Sequence, residues 1–316
     1  MSILPRKNLV VIVDKQFCNP KDFLDIAQRI RKQASDIEVT VATADALNSV
    51  PGKIWGSPCL TVSLSRLGRF RPSRGEFVSN HPIAKLEQMR MMKASGISVP
   101  HADEFKFGMD FPAEIWGEHV MIKPIPLHLT SKGLHMQVFR REKIAGMMAS
   151  DFPKDHLIHH APMLVQRFVY TGKYPSTYRV LTLFGEVLYA MKYQSLRPSP
   201  SLTDSDEVIE SGDFTSKGRR EYLFGDYPDE VAFAEKISRA FPRVPLLGID
   251  IVREDTTQKL YALEVNAGGN TWHYSSPMWA KRRLQFPEAA RMMREQYSAF
   301  DAAARGLIRA TRLFAT

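Results

Sequence analysis

Short apolar runs and one stretch of helical periodicity organise the first part of the chain. Leu9–Val13, Glu38–Ala42 and Pro58–Ser63 are brief and β-branched, which predicts strands. Between the first two, Asp22–Ala34 sets Phe23, Ile26, Ala27 and Ile30 on one helical face. Strand, helix, strand and strand predict a small α/β layer of parallel strands over residues 1–78. It has no glycine-rich phosphate loop.

A second unit is marked by its punctuation. Asn80 is the expected N-cap, Pro82 lies in the first turn, and Gly96 stops a helix whose Met89, Met91 and Met92 read as core packing. Strands are then expected at His119–Pro124 and His135–Phe139, joined by a polar loop through Thr130, Ser131, Lys132 and Gly133. The run at 163–169, MLVQRFV, predicts another strand. Thr177–Phe184 and Val187–Tyr193 form a hairpin about a Gly185-Glu186 turn. Residues 195–220 read as loop and short strand, and Asp229 as the cap of a helix burying Val231, Ala234, Ile237 and Phe241. Leu246–Arg253 and Lys259–Asn266 form a second hairpin, and the tail from Pro287 is helical in character. The expected division is 1–78, 79–162 and 163–316.

Composition narrows the class. With 44% hydrophobic and 24% charged residues among 316, the chain reads as a soluble globular protein. It contains no apolar run of the roughly 20 residues that spans a bilayer. Two cysteines indicate no disulfide framework, so a reducing cytoplasm is expected. The net charge of +9 is spread over pairs such as Arg140-Arg141, Arg219-Arg220 and Arg282-Arg283, which argues against a dedicated nucleic-acid surface.

The second hairpin holds the candidate chemistry. Period-2 alternation puts Leu263 and Val265 on one face and Glu264 and Asn266 on the other. Counting outward from Thr257, Asp250 falls opposite Glu264. Carboxylates paired across strands repel, and a hard divalent cation with an added amide oxygen removes the penalty. By itself this pattern fits a solvated strand face equally well. The loop after it, Ala267-Gly268-Gly269-Asn270-Thr271, is permissive enough to turn N–H groups toward an anion.

In the first hairpin the same counting sets Arg179 opposite Lys192, a cation pair that an anion would reconcile. Lys123 ends an apolar strand, and the Thr130–Gly133 loop is a weak phosphate-loop signal. His156, His159 and His160 lack further ligand partners, so no metal site is expected there. Trp272 and Trp279 fit a substrate contact or core packing alike.

In order along residues 80–276, these segments resemble the ATP-grasp superfamily, and within it the glutathione-synthetase-like and ribosomal-protein-modifying glutamate ligases. GIDIV and LEVN carry the likeness most specifically. The resemblance implies an α/β (α+β) chain, a Rossmann-like N-terminal domain followed by a two-subdomain ATP-grasp fold. It implies Asp250, Glu264 and Asn266 as ligands of Mg²⁺ (one or two ions, with Mn²⁺ as a substitute) and Arg179 as the catalytic arginine. Lys85, Lys123, Ser131, Gly133, Gln166, Arg167, Phe168, Val169 and Lys192 become ATP-binding residues, the hinge at Gln166–Val169 through its backbone. Gly268, Gly269 and His273 become candidates for the substrate side.

The chain departs from the family pattern at Arg167, where an acid is usual, at Thr177, where an Asp is usual, and in a lid poor in glycine. Lys192 and Arg197 stand in for a later arginine. The implied activity is carboxylate–amine ligation through an acyl phosphate, on small-molecule or peptide substrates and in a homodimer. A small-molecule kinase and a non-catalytic nucleotide-binding module are the alternatives.

Overall fold

The computed structural model describes residues 6–47, 50–67, 72, 75–125, 136–200, 202, 209–210, 220–268 and 271–316. Three sheets organise them. The first is parallel, in the order β2-β1-β3-β4, from β1 (Lys7–Val13), β2 (Ile37–Thr43), β3 (Cys59–Ser63) and β4 (Glu76–Ser79). Helix α1 (Pro20–Gln33) covers it, capped by the Asn19 side chain on the Lys21 amide and burying the four apolar residues its periodicity marked.

Helix α2 (Lys85–Ala94) follows, and Gly96, at φ 67°, ends it with the Ile97 amide bonded back to the Met92 carbonyl. Asn80 is not its cap. Ala84 holds that position, while Asn80 is buried, accepting from the Leu246 amide at 3.2 Å and donating to the Leu64 carbonyl at 3.2 Å. A side chain with both donor and acceptor was needed to join two sheets.

The second sheet is antiparallel, with β5 (Ala102–Glu104), β6 (His119–Pro124), β7 (Gln137–Arg140), β8 (Met163–Arg167) and β11 (Ile209–Glu210) in the order β11-β7-β6-β8-β5. Because β8 pairs with β5 and β6, this unit extends past the expected boundary at 162. Short helices α3 (Ala113–Trp116) and α4 (Arg141–Gly146) pack on it.

The third sheet runs β12-β10-β9-β13-β14, from β9 (Ser176–Leu183), β10 (Glu186–Ser195), β12 (Arg220–Leu223), β13 (Leu246–Arg253) and β14 (Leu260–Ala267). Helix α5 (Pro228–Arg239) buries Ala234 and Ile237 against it. Its N-cap is Tyr227, and Asp229 instead pairs with Arg253 at 3.0 Å.

The tail forms α6 (Ala280–Gln285), α7 (Pro287–Glu295) and α8 (Ala299–Phe314), with a break at Ser298 (φ 49°). Helix α8 shares one apolar core with α1, the first sheet and one face of the third. Its small buried residues, Ala299, Ala302, Ala303, Ala304, Gly306 and Ala310, allow that close approach. A Cβ at Gly306 would lie 2.5 Å from the Leu183 carbonyl oxygen, a backbone atom that cannot swing aside. Gly306→Ala is therefore expected to destabilise the chain by about 1–3 kcal/mol, reversing the usual helix preference for alanine; the shift in urea midpoint measures it. Among the described residues no helix is long and apolar enough to cross a membrane.

Candidate functional site

In the hairpin of β13 and β14 Asp250 lies directly opposite Glu264 as counted from Thr257, although nearer the turn the pairing is one residue off (Arg253 opposite Leu260) and a bulge makes up the difference. On its other side Asp250 is opposite Arg179 of β9. Three neighbouring strands thus set Arg179, Asp250 and Glu264 in one lateral row on one face of the sheet. Arg179 holds Asp250 with two bonds, Nε to Oδ1 at 2.5 Å and a terminal nitrogen to Oδ2 at 2.8 Å. The Asn266 amide lies 3.1 Å from both Asp250 Oδ2 and Glu264 Oε1.

A bulge after Asp250 changes what accompanies these groups. Ile251 pairs with Ala262, so Leu263 is passed over. The expected alternation put Leu263 on the face opposite Glu264. Instead it joins Val169, Val252 and Tyr261 and lines the same cleft as Glu264.

That cleft has a volume of about 360 Å³ and is lined from both antiparallel sheets and α2. Lys85, Lys123, Gln166–Val169, Arg179, Asp250 and Glu264 all line it. Lys123 is buried and donates to Gln166 Oε1 at 2.7 Å. Burial lowers its pKa, with Glu264 and Asp250 opposing. Burial also raises Asp250, helped by Glu264 and resisted by Arg179. Burial opposes ionisation of Glu264 as well, but Lys123, Lys85 and Arg179 outweigh it and keep the carboxyl below the usual range. Five cations line the cleft (Lys85, Lys123, Arg167, Arg179 and Arg220, of which Arg167 is paired with Glu254) against the carboxylates Asp250 and Glu264, a balance that suits a polyanion.

Several expected residues sit elsewhere. Arg179 is opposite Met191, not Lys192, because Phe184 and Gly185 take the turn at φ 47° and 83° and a bulge follows Val187. Lys192 pairs with Tyr178 on the other face, its Nζ 5.8 Å from that ring, and does not reach the cleft. Arg197 is likewise outside it. The cation that does arrive is Arg220 of β12, opposite Ser195, with its guanidinium 4.7 Å from the Tyr193 ring and 5.3 Å from that of Tyr222. Sequence reading passed over it as one of several basic pairs; the period-2 spacing of Arg220 and Tyr222 was the only local signal.

Part of the hinge backbone is engaged within the protein. The Arg167 and Phe168 amides donate to the carbonyls of His101 and His119, so neither is available to a ligand. The Arg167 guanidinium reaches Glu254 at 2.7 Å and the Tyr261 hydroxyl at 3.2 Å, tying the second sheet to the third. Ser131, Gly133 and Gly269 lie outside the described residues.

His273 does not line the cleft. It is buried, stacked on Trp279 at 4.5 Å, with Nδ1 2.6 Å from the Tyr189 hydroxyl. Trp272 is also core, its indole N–H donating to buried Asp22 at 2.9 Å. Gly268, at φ 135°, accepts from the Thr271 hydroxyl and shapes the loop without lining the cleft. Burial, with Arg179, Arg283 and Arg220 nearby, holds His273 neutral and its pKa well below the usual value. The unfolded chain therefore takes up this proton first, and stability falls as pH drops below about 6.5. Against a His273→Gln variant, the wild type is expected to lose up to about 1.4 kcal/mol more per pH unit between 6 and 5, measured by urea unfolding.

The residues present fit a magnesium nucleotide. Two carboxylates bridged by the Asn266 Nδ2 offer oxygen donors of the kind Mg²⁺ prefers, the Asn266 amide would present its oxygen to the ion when turned over, and the surrounding cations suit phosphates. Among the described residues no group of three or more His, Cys, Asp or Glu side chains offers an alternative metal site. Gln166 Nε2 is buried, with no hydrogen-bond partner among the described residues.

No protein-family model and no curated protein matches the sequence. Solved structures do. The chain is similar to macrocyclase MdnC bound with precursor peptide MdnA from Microcystis aeruginosa MRC, with a TM-score of 0.51 and 11% identity over 95% of this chain and 99% of that one. D-alanine–D-alanine ligase from Bacillus anthracis, complexed with ATP, gives a TM-score of 0.44 and 10% identity over 97% and 99% of the two chains. D-cycloserine synthetase DcsG gives 0.47 and 15% over 95% and 99%. At such identities the likeness is one of fold.

Proposed function

We propose that this chain, which has the ATP-grasp fold, is an ATP- and Mg²⁺-dependent carboxylate–amine ligase. The observation that carries this reading is the lateral row Arg179–Asp250–Glu264, with Asn266 beside it, on the wall of a cleft that also receives Lys85 and Lys123. A purely structural strand face has no need to bury two carboxylates against three cations.

Lys85 and Lys123 hold the phosphates of ATP, and the apolar surface of Val169, Val252 and Leu263 takes the base. Asp250, Glu264 and Asn266 are the residues that would hold Mg²⁺, which when bound neutralises the β and γ phosphate oxygens. A substrate carboxylate oxygen attacks the γ phosphorus, ADP leaves, and an acyl phosphate forms. Arg179 and Arg220 face the charge that accumulates on the transferring group. An amine then attacks the acyl carbon and inorganic phosphate leaves, giving the amide. Catalysis here is positioning by preorganised cations, with no covalent bond to the protein.

Substrates of small-molecule or peptide size, and a homodimer in the cytoplasm, belong to the same proposal. The likeness to MdnC, which is bound with a precursor peptide, supports including peptides. The test is ADP release from Mg-ATP against pooled amino acids and peptides, with Glu264→Ala as control. Amine-dependent ADP release with a new amide mass, lost in the variant, is expected. A phosphorylated product without amide would replace the ligase by a kinase.

A further inference from the structure

A second cavity, of about 600 Å³, also touches Arg167, and the nucleotide reading leaves it unused. It is lined by α2, the connection from α2 into β5, α3 and the start of β14. Met89, Ile97 and Tyr261 line it and are themselves buried, so its inner surface is apolar. Four cations line it as well: Arg90 and Lys93 from α2, Arg167 from β8, and Lys259 just before β14. Asp103 is the one carboxylate of that lining. Of the four cations only Arg90 and Arg167 have carboxylate partners among the described residues, Glu87 at 3.8 Å and Glu254 at 2.7 Å.

Spacing along a helix accounts for Arg90 and Lys93 together, but Arg167 and Lys259 arrive by tertiary packing. Like charges gathered over an apolar surface repel, and an anion among them removes that cost. An inorganic anion would leave the apolar wall facing water. The ligand that answers both features therefore has an apolar body and a negative group.

Arg167 lines both this cavity and the nucleotide cleft, and its side chain is 30% exposed. Its guanidinium holds Glu254 and the Tyr261 hydroxyl, both on the third sheet's last hairpin. An anion in the second cavity draws on a cation that also contributes to the potential in the cleft. We propose that this cavity is a second ligand site for a small organic anion with an apolar body, and, resting on the nucleotide reading above, that its occupant weakens nucleotide binding through Arg167.

The probe is 8-anilinonaphthalene-1-sulfonate, an apolar ring system with one negative charge, titrated by fluorescence into the whole chain. Its uncharged counterpart, N-phenyl-1-naphthylamine, is the control. Wild type is expected to bind the sulfonate at one saturable site, about ten-fold or more tightly than the amine, since the amine lacks the charged partner. In Lys93→Glu/Lys259→Glu the sulfonate is expected to bind about ten-fold or more weakly, with the circular dichroism spectrum unchanged. Saturating Mg-ATP is expected to weaken the sulfonate about five-fold, to a plateau, and the sulfonate to weaken Mg-ATP by the same factor. Weakening that grows without limit as Mg-ATP rises puts the dye in the cleft and overturns the second site, as does unchanged binding in the double variant. Equal binding of the two dyes overturns the anionic class, and mutual indifference of sulfonate and Mg-ATP overturns the coupling. If Mg-ATP does not bind, the nucleotide reading falls and the coupling with it, while the dye titrations decide the site by themselves.

Discussion

Replacing Arg179 by alanine is expected to cost the protein both turnover and stability. Arg179 is bonded twice to Asp250, and both side chains are largely buried. Removing the arginine leaves a buried carboxylate without its cation, which typically costs about 3–5 kcal/mol. Loss of a preorganised donor at a transferring phosphoryl costs about 10²–10³-fold in kcat. The two effects separate in the double variant Arg179→Met/Asp250→Asn. There both charges are gone, so most of the stability returns in urea unfolding. Turnover does not return. Full activity in a folded Arg179→Ala protein would remove this residue from the chemistry.

Glu264→Gln carries the second large effect, and it acts on metal dependence. The glutamine keeps the size of the side chain and the contact with Asn266 but removes the charge held low by Lys123, Lys85 and Arg179. Mg²⁺ then keeps Asp250, already shared with Arg179, and one amide oxygen. The tightening of ATP by Mg²⁺ is expected to fall by at least about 100-fold, above the range seen when only supporting groups around a metal are lost. ATP measured in EDTA is expected to bind wild type and variant alike or slightly favour the variant, because one negative charge has left the cleft. Unchanged Mg²⁺ dependence in calorimetry would place the metal elsewhere.

Gly248 accounts for part of the precision of this row. A Cβ there would stand 2.8 Å from the Thr271 Cγ2 and 3.0 Å from an Arg179 terminal nitrogen. Only a residue without a side chain lets the arginine lie flat along the strand toward Asp250. In the sequence this glycine opens the GIDIV run, but its contact with Arg179 is visible only in the folded chain.

Local pattern carried far where chemistry and periodicity coincided. The parallel layer, α1, the stop at Gly96 and the strands of both hairpins are legible from period and turn residues, whereas the facing of Asp250 and Glu264 also needs the bulge between Asp250 and Ile251. These features depend on residues close in the chain, where spacing alone decides geometry. In the first hairpin the turn falls at Phe184-Gly185, one residue earlier than counted, which shifts the pairing by two, and the bulge after Val187 returns one. Its bulge, and the one at Leu263, are set by packing of the whole sheet, so simple alternation cannot place them.

The rest was decided by contacts between distant segments. Arg220 reaches the cleft because β12 pairs with β10, and Asn80 is buried because β13 passes beside it. His273 was drawn into the core by Tyr189 and Trp279, against a reading based only on its nearness to the metal strand. By itself the sequence determined which residue types share a strand face and which hairpin holds the acids. Tertiary structure decided which cations meet them, because a side chain's charge partner depends on strands that are neighbours in space and far apart in the chain.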